Sequence, residues 1–295
     1  MADLITLLIT GISEGAHIFL MASSLSVILG LMKVVNFAHG TLFLWGAYAF
    51  QMIFNGISGQ VNNTLAWLIS LLGAIVAGFI LGIIFEKVFI ARVYGNIGAQ
   101  ILITIGLQIV FTELVRVFWG ARVIAVARPE FLQGVSNFSG VIIVHYRIFL
   151  IAVGILVAIA GHFILTGTRA GMIIRAGVQN SEMVGALGIN INRYFTLVFA
   201  VGAALAGLGG ALFAPIGGTV SPEIGNSSQL LAFIVVIIGG MGNFMGSALG
   251  SLFLGVMMAL IGWTIPDLAL IAPVTLMALV LIFRPQGLFG LAVKH

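Results

Sequence analysis

Long apolar stretches, separated by short polar intervals, make up most of this 295-residue chain. A transmembrane helix needs about 20 predominantly apolar residues, and most of the stretches approach or exceed that length. The pattern therefore predicts an all-α fold, a polytopic transmembrane helical bundle that forms one membrane domain over 1–295. Nine crossings are predicted, the seventh of them short for a full span: 4–31, 37–54, 64–86, 97–119, 147–166, 194–214, 228–241, 244–265 and 268–283.

The composition indicates that lipid is the solvent. Hydrophobic residues make up 61% of the chain and charged residues only 7%, with a mean hydropathy of +1.24. A soluble domain of this size needs far more charge to cover its surface. The absence of cysteine excludes disulfides and thiolate metal sites. Because the basic residues are scattered, a nucleic-acid-binding patch is also excluded.

Basic residues fall mostly on one predicted side of the membrane. With an outer N-terminus and nine crossings, the cytoplasmic side carries Lys33, Lys87, Arg92, Arg169, Arg175, Arg193, Arg284 and Lys294. The opposite side carries Arg116, Arg122, Arg128 and Arg147. Since cytoplasmic loops are enriched in Lys and Arg, the pattern favours this orientation.

A short polar break separates the first two apolar stretches. It contains Asn36, His39 and Gly40 with almost no loop around them, which predicts a discontinuous helix or a tight turn. Transporters place such breaks at binding sites inside the membrane. The alternative is a turn at the cytoplasmic interface, in which His39 is an ordinary hydrogen-bonded side chain.

The fourth apolar stretch carries polar residues at a spacing of four. They are Gln100, Thr104, Gln108, Thr112 and Arg116. This spacing places them on one side of an α-helix, and polar groups in lipid-spanning helices usually face the bundle interior or an aqueous path. The alternative is a polar seam between helices. The candidate substrate-pathway residues are Asn36, His39, Thr104, Gln108 and Thr112.

The polar interval 167–193 predicts a short amphipathic helix that Ser181 caps and Gly188 ends. Its apolar face would be formed by Met183, Val184 and Leu187. Such a helix either lies on the lipid surface or offers an apolar knob to a soluble partner.

Small residues recur at a spacing of four inside the apolar stretches. Examples are Ala74, Gly78 and Gly82, then Gly202, Ala206, Gly210 and Ala214, then Gly242, Gly246 and Gly250. Small residues on one helix face let two backbones approach closely. We interpret these ridges as tight helix packing and not as a chemical site.

Several motifs, in order along nearly the whole chain, resemble one family: the branched-chain amino acid ABC transporter permeases of the LivH type. They are Asn36-Phe37-Ala38-His39-Gly40, Arg169-Ala170-Gly171, Arg175-Ala176, Ala186-Leu187-Gly188-Ile189-Asn190, Gly239-Gly240-Met241-Gly242 and Arg284-Pro285-Gln286-Gly287-Leu288-Phe289-Gly290. One departure is that Gln179, Asn180 and Ser181 precede a single Glu182, where the family often has more acidic residues.

The resemblance implies an importer permease with pseudo-repeated helices in the bacterial inner membrane. Its implied partners are a second, LivM-like permease, two ATP-binding cassette subunits and an extracytoplasmic solute-binding protein. ATP and magnesium would bind to the cassette subunits, so no cofactor is expected on this chain. The resemblance also implies that the 167–193 loop contacts the ATPase. The implied coupling residues are Arg175, Ala176, Glu182, Ala186, Leu187 and Gly188.

The chain lacks an ATPase motif of its own. A phosphate-binding P-loop needs Lys followed by Ser or Thr, whereas Lys33, Lys87 and Lys294 precede Val, Val and His. We therefore expect a transport subunit and not an enzyme. Three alternatives stay open: an ABC importer for urea, amides, small carboxylates or sugars, an ion-coupled secondary transporter, and a membrane-embedded enzyme, for which no catalytic motif is visible.

Overall fold

The computed structural model describes residues 2–126 and 128–290, and Lys294 lies outside them. The helices are α1 (Ala2–Met32), α2 (His39–Ile57), α3 (Asn63–Ile84), α4 (Ile97–Trp119), α5 (His145–Gly167), α6 (Arg169–Gln179), α7 (Ser181–Ala186), α8 (Ile191–Gly217), α9 (Ile224–Gly239), α10 (Phe244–Thr264) and α11 (Ala272–Phe283). A π-helical turn (Phe85–Phe89) and a 3-10 turn (Ile90–Val93) continue α3.

The described residues include four short strands in the loops, although the sequence pattern predicted none. Strand β1 (Ile124–Ala125) pairs antiparallel with β4 (Thr219–Val220), and β2 (Val135–Phe138) forms a hairpin with β3 (Val141–Val144). These strands cover one end of the molecule, and the bundle that they cover is helical. The all-α prediction is therefore confirmed.

Each of the nine predicted apolar segments contains a helix, but their lengths differ. Within residues 2–126 and 128–290, six helices are long and apolar enough to cross a membrane: α1, α3 with its continuation, α4, α5, α8 and α10. Helices α9 and α11 are apolar but shorter, with 16 and 12 residues. The predicted start of the last segment at 268 is wrong, because a 3-10 turn at Pro266–Leu268 delays α11 until Ala272.

Long-range contacts show that these helices alternate in direction. On one side, β1, which follows α4, pairs with β4, which follows α8. On the same side, the N–H of Ile142 in β3 donates to Thr6 Oγ1 of α1 at 3.2 Å. On the other side, Thr196 Oγ1 of α8 donates to Glu86 Oε2 beyond α3 at 2.6 Å. We call these the β-strand side and the α6–α7 side. Every basic residue in the described ranges lies on the side of the bundle to which the sequence pattern assigned it.

As predicted, the small-residue ridges let neighbouring helices pack with their backbones in direct contact. A Cβ at Gly78 of α3 would lie 2.5 Å from the Ala203 carbonyl oxygen of α8, and one at Gly250 of α10 would lie 3.0 Å from the Gly239 backbone nitrogen of α9. Helix α8 lies at the centre of the bundle and contacts α1, α2 and α3. These close approaches fix the frame that holds the polar residues described below.

Two buried tyrosines provide a matched test of one tertiary hydrogen bond. The Tyr146 hydroxyl of α5 donates to the Leu212 carbonyl oxygen of α8 at 2.8 Å, whereas the Tyr48 hydroxyl of α2 has no partner among the described residues. Tyr146→Phe should therefore cost about 1 kcal/mol of folding free energy, and Tyr48→Phe should be neutral or slightly stabilising. Thermal denaturation of the purified chain measures both, and equal melting temperatures for the two variants would contradict the assignment.

Candidate functional site

The polar break after α1 is a non-helical segment at 33–38 that is exposed at Lys33 and buried or half-buried at the residues that follow. The chain leaves α1 at Lys33, whose φ is +52°, and α2 begins only at His39. Asn36 and His39 are 0% and 1% exposed. His39 Nδ1 lies 3.2 Å from Ser24 Oγ, roughly two turns before the end of α1. The predicted break between the two helices is confirmed, and α2 begins among buried side chains. Whether the break lies at membrane depth or at the cytoplasmic interface stays a prediction.

Helix α4 lies against this break and bonds to it. The Val35 N–H donates to Gln100 Oε1 at 3.4 Å, and Thr41 Oγ1 donates to the Gln108 carbonyl oxygen at 3.5 Å. Thr104 is fully buried and donates to the Gln100 carbonyl oxygen of its own helix at 2.7 Å. Thr112 is buried, and its hydroxyl has no partner among the described residues.

The predicted polar band on α4 therefore divides into two parts. Gln100, Thr104 and Thr112 are buried and form a seam between helices within the chain. Gln108 is half-buried and reaches the surface of the chain. Four of the five candidate pathway residues, Asn36, His39, Thr104 and Thr112, are thus enclosed by protein in this conformation.

The start of α9 completes the cluster, and the sequence reasoning missed it. The Gly40 N–H donates to Gln229 Oε1 at 3.4 Å, and Gln108 Nε2 donates to Asn226 Oδ1 at 2.6 Å. The backbones of Gly40 and Gly225 touch so closely that neither position has room for a Cβ. The run from Asn226 to Gln229 was the available signal, because it is polar and directly precedes an apolar stretch.

Charged residues extend this cluster toward the β-strand side. Arg116 forms an ion pair with Glu113 at 2.6 Å on α4 and with Glu223 at 3.3 Å just before α9. Hydrogen bonds from the backbone N–H of Glu223 and from Ser221, together with Arg116, lower the pKa of the Glu223 carboxyl. The carboxylate therefore stays ionised, and the link between α4 and α9 persists, to a lower pH than for an ordinary Glu.

Together these exposed or half-buried residues form a polar strip along α4 and the start of α9. It consists of Gln108, Glu113, Arg116, Glu223 and Asn226. Polar groups at membrane depth are costly when they face lipid. The strip is therefore suited to face another protein surface or water.

On the opposite side, two short helices follow α5 and pack against the bundle. Thr168 Oγ1 caps α6 by accepting from the Gly171 N–H at 3.2 Å, and Asn180 Oδ1 caps α7 by accepting from the Met183 N–H at 2.9 Å. The predicted cap at Ser181 is wrong, because Ser181 is the first helical residue. Gly188, with φ +78°, ends the helical turn as predicted.

The surface of α7 differs from the predicted apolar face. Only Val184 is buried, while Met183 is 64% and Leu187 is 74% exposed. These two side chains form an exposed apolar pair, which we call the α7 knob. Burying a fully exposed side chain of this kind contributes about 1.5–3 kcal/mol, so the knob is suited to insert into a groove on another molecule.

The other predicted coupling residues lie around the knob. Ala176, Glu182, Ala186 and Gly188 are exposed on the same side of the molecule. Arg175 is also exposed, but its guanidinium donates to the Leu165 carbonyl oxygen at the end of α5. It therefore ties α6 to the bundle. Among residues 2–126 and 128–290, no group of three His, Cys, Asp or Glu side chains is arranged to hold a metal ion.

Comparison with known proteins gives the same family throughout. The family model described as "Branched-chain amino acid transport system / permease component" matches residues 7–283. The chain is 29% identical over 293 residues to the permease protein BraD of the high-affinity branched-chain amino acid transport system of Pseudomonas aeruginosa, covering 96% of this chain and 94% of the relative. It is 30% identical over 291 residues to LivH of Escherichia coli, covering 95% and 93%.

A second kind of permease is also similar. LivM of Salmonella typhimurium, named a permease protein of the same kind of transport system, is 29% identical over 296 residues. That alignment covers 90% of this chain but 65% of the relative.

Proposed function

Because the chain belongs to the family of branched-chain amino acid transport system permease components, we propose that it forms the membrane pathway of an ATP-driven importer for these amino acids. The match over residues 7–283 is the observation that carries this proposal. The six long apolar helices in the described part of the chain are those of a multi-pass membrane protein. The bacterial inner membrane is the proposed location, with the α6–α7 side in the cytoplasm.

The proposed assembly contains four kinds of subunit. Similarity to both LivH and LivM proteins supports pairing with a second, LivM-like permease. Two ATP-binding cassette subunits supply the energy and hold the ATP and magnesium, and an extracytoplasmic binding protein delivers the substrate. This division of labour is supported by the absence of a P-loop lysine in the chain.

The polar strip supports a pathway between the two permeases. Gln108 and Asn226 bond to each other at 2.6 Å beside the break at 33–38, where α2 begins inside the bundle. Helix movement that separates α4 from α9 would break this bond and expose Asn36 and His39 behind it. In this mechanism, ATP binding moves the α7 knob, α6 transmits the movement to α5, and the pathway opens alternately to each side.

Transport assays in cells separate this proposal from a secondary transporter. We expect leucine uptake to continue after a protonophore collapses the membrane potential and to stop after ATP is depleted. The same cells expressing a related ATP-driven amino acid importer provide the positive control. Uptake that follows the potential and ignores ATP would contradict the proposal.

The absence of cysteine allows a direct test of the pathway. Gln108 and Leu156 occupy the same position, the middle of 23-residue helices α4 and α5. In Gln108→Cys, a water-soluble, membrane-impermeant thiol reagent should label the protein within minutes, because water lines the pathway. In Leu156→Cys, which is 66% exposed on an apolar face, labelling should be at least about tenfold slower, since lipid excludes the reagent. Equal labelling rates at the two positions would show that the polar strip does not line the pathway.

A further inference from the structure

Two cavities meet where α6 lies against the membrane bundle. The larger, about 650 Å³, lies between the end of α5, the turn from α9 to α10 and the end of α11. The smaller, about 200 Å³, lies between α1, α5, α6 and α8. Leu31, Leu165 and Phe244 line both cavities, so the two lie next to each other, the larger on the α6–α7 side and the smaller deeper in the bundle.

The larger cavity has a polar wall with a positive charge. It is lined by Arg175 of α6, by His162 and Thr166 of α5, and by Gln286, and no Asp or Glu is among the described residues that line it. Arg175 donates to the Leu165 carbonyl oxygen, but a guanidinium has five N–H donors, so several are left. Because Arg is always charged and its planar fork fits phosphate, this end suits a phosphate group.

The smaller cavity is almost entirely apolar. It follows α5 from Leu165 back to Val157, a distance of roughly 12 Å along the helix axis. Val201 and Leu205 of α8 form the opposite wall. An apolar cavity of about 150 Å³ is enough to bind benzene, so this space has room for part of a hydrocarbon chain.

We propose that these two adjacent cavities together bind one phospholipid with an anionic headgroup. The phosphate would lie at Arg175, at the boundary of the membrane, and one acyl chain would lie between α5 and α8. The charged end lies toward the α6–α7 side and the apolar end lies deeper in the bundle, as the headgroup and acyl chain of a membrane lipid do. Basic pockets between transmembrane helices on the cytoplasmic side are known to select anionic headgroups, which makes lipid the favoured occupant.

A lipid in this position would control the α6–α7 unit. Helix α6 contributes Arg175 to the polar end and Ala170, Gly171 and Ile174 to the wall of the apolar end. A bound lipid would therefore hold α6 against α5, and its loss would loosen the helix that precedes the α7 knob. The lipid site is independent of which solute the protein transports.

Native mass spectrometry of the purified chain tests this site. The probes are phosphatidylglycerol and phosphatidylcholine with identical acyl chains, added to delipidated protein in detergent. We expect the wild type to retain phosphatidylglycerol at least about tenfold better, which corresponds to 1.4 kcal/mol. Arg175→Gln should remove the preference for the anionic lipid, and Ala160→Trp, which fills the apolar end, should remove retention of both lipids.

A matched control places tryptophan one helical turn away from Ala160 on α5. Leu156→Trp on the outer face of α5 should retain phosphatidylglycerol as the wild type does, because Leu156 does not line either cavity. Inorganic phosphate in excess should not compete, which distinguishes a lipid site from a phosphate site. Equal retention of the two lipids by the wild type, or an unchanged preference in Arg175→Gln, would overturn the proposal even if Ala160→Trp failed to fold.

Discussion

Leu187→Asp should release the ATP-binding cassette subunits and abolish ATP-driven uptake. Leu187 is 74% exposed directly after the last residue of α7, and Met183, one turn earlier, is 64% exposed. If it inserts into a groove on the cassette subunit, its burial contributes about 1.5–3 kcal/mol, and an aspartate there would bury an unpaired charge. We expect association to weaken at least about 100-fold, measured by co-purification of the cassette subunits and by uptake in cells.

The matched control is Leu270→Asp. Leu270 is 90% exposed, but it lies in the turn before α11 on the β-strand side. This variant should co-purify with the cassette subunits as the wild type does. If Leu187→Asp kept its cassette subunits and its uptake, the α7 knob would have no part in coupling.

Gly210→Val should leave little folded protein. A Cβ at Gly210 of α8 would overlap the Phe43 carbonyl oxygen of α2 and would lie 3.0 Å from the Ala47 backbone nitrogen. These are backbone atoms within a helix, so no rotamer change can make room. Overpacking of a filled core costs typically 1–3 kcal/mol and more where the backbone must move, so we expect a loss of about 3 kcal/mol or more. Size-exclusion chromatography of solubilised protein after stepwise heating measures it.

The control for Gly210 is another helical glycine. Gly106 of α4 has no atom within 4 Å of an added Cβ, so Gly106→Val carries the same change in helix propensity without the overlap. It should remain monodisperse up to the wild-type temperature. A similar loss in both variants would mean that helix propensity, and not interhelical contact, determines the effect.

Much of the fold could be predicted from the sequence because lipid imposes a simple rule. Each crossing must be a long apolar helix, so apolar stretches gave the helices to within a few residues for α4 and α10. The ridges at Gly78 and Gly202 were recognisable because close packing needs small residues at a spacing of four. The start of α11 was misplaced because hydropathy does not separate a 3-10 turn from a helix.

The candidate site was predicted less completely, because it depends on contacts between distant segments. Nothing local indicates that Gly40 meets Gly225, or that Asn226 bonds to Gln108. The pattern placed Thr104 and Gln108 on one helix face, but only the packed bundle distinguishes the buried seam from the exposed strip. On α7, the pattern identified the helix but not which of its apolar residues faces outward.

Site-specific photo-crosslinking from α7 in intact cells tests the central claim most directly. A benzophenone amino acid at position 183, in place of Met183, should form a covalent product with an ATP-binding cassette subunit, identified by mass spectrometry. The same probe at position 270 should form none. A product with an extracytoplasmic protein would contradict the orientation, and a product with lipid alone would contradict the proposal that α7 docks on a separate ATPase.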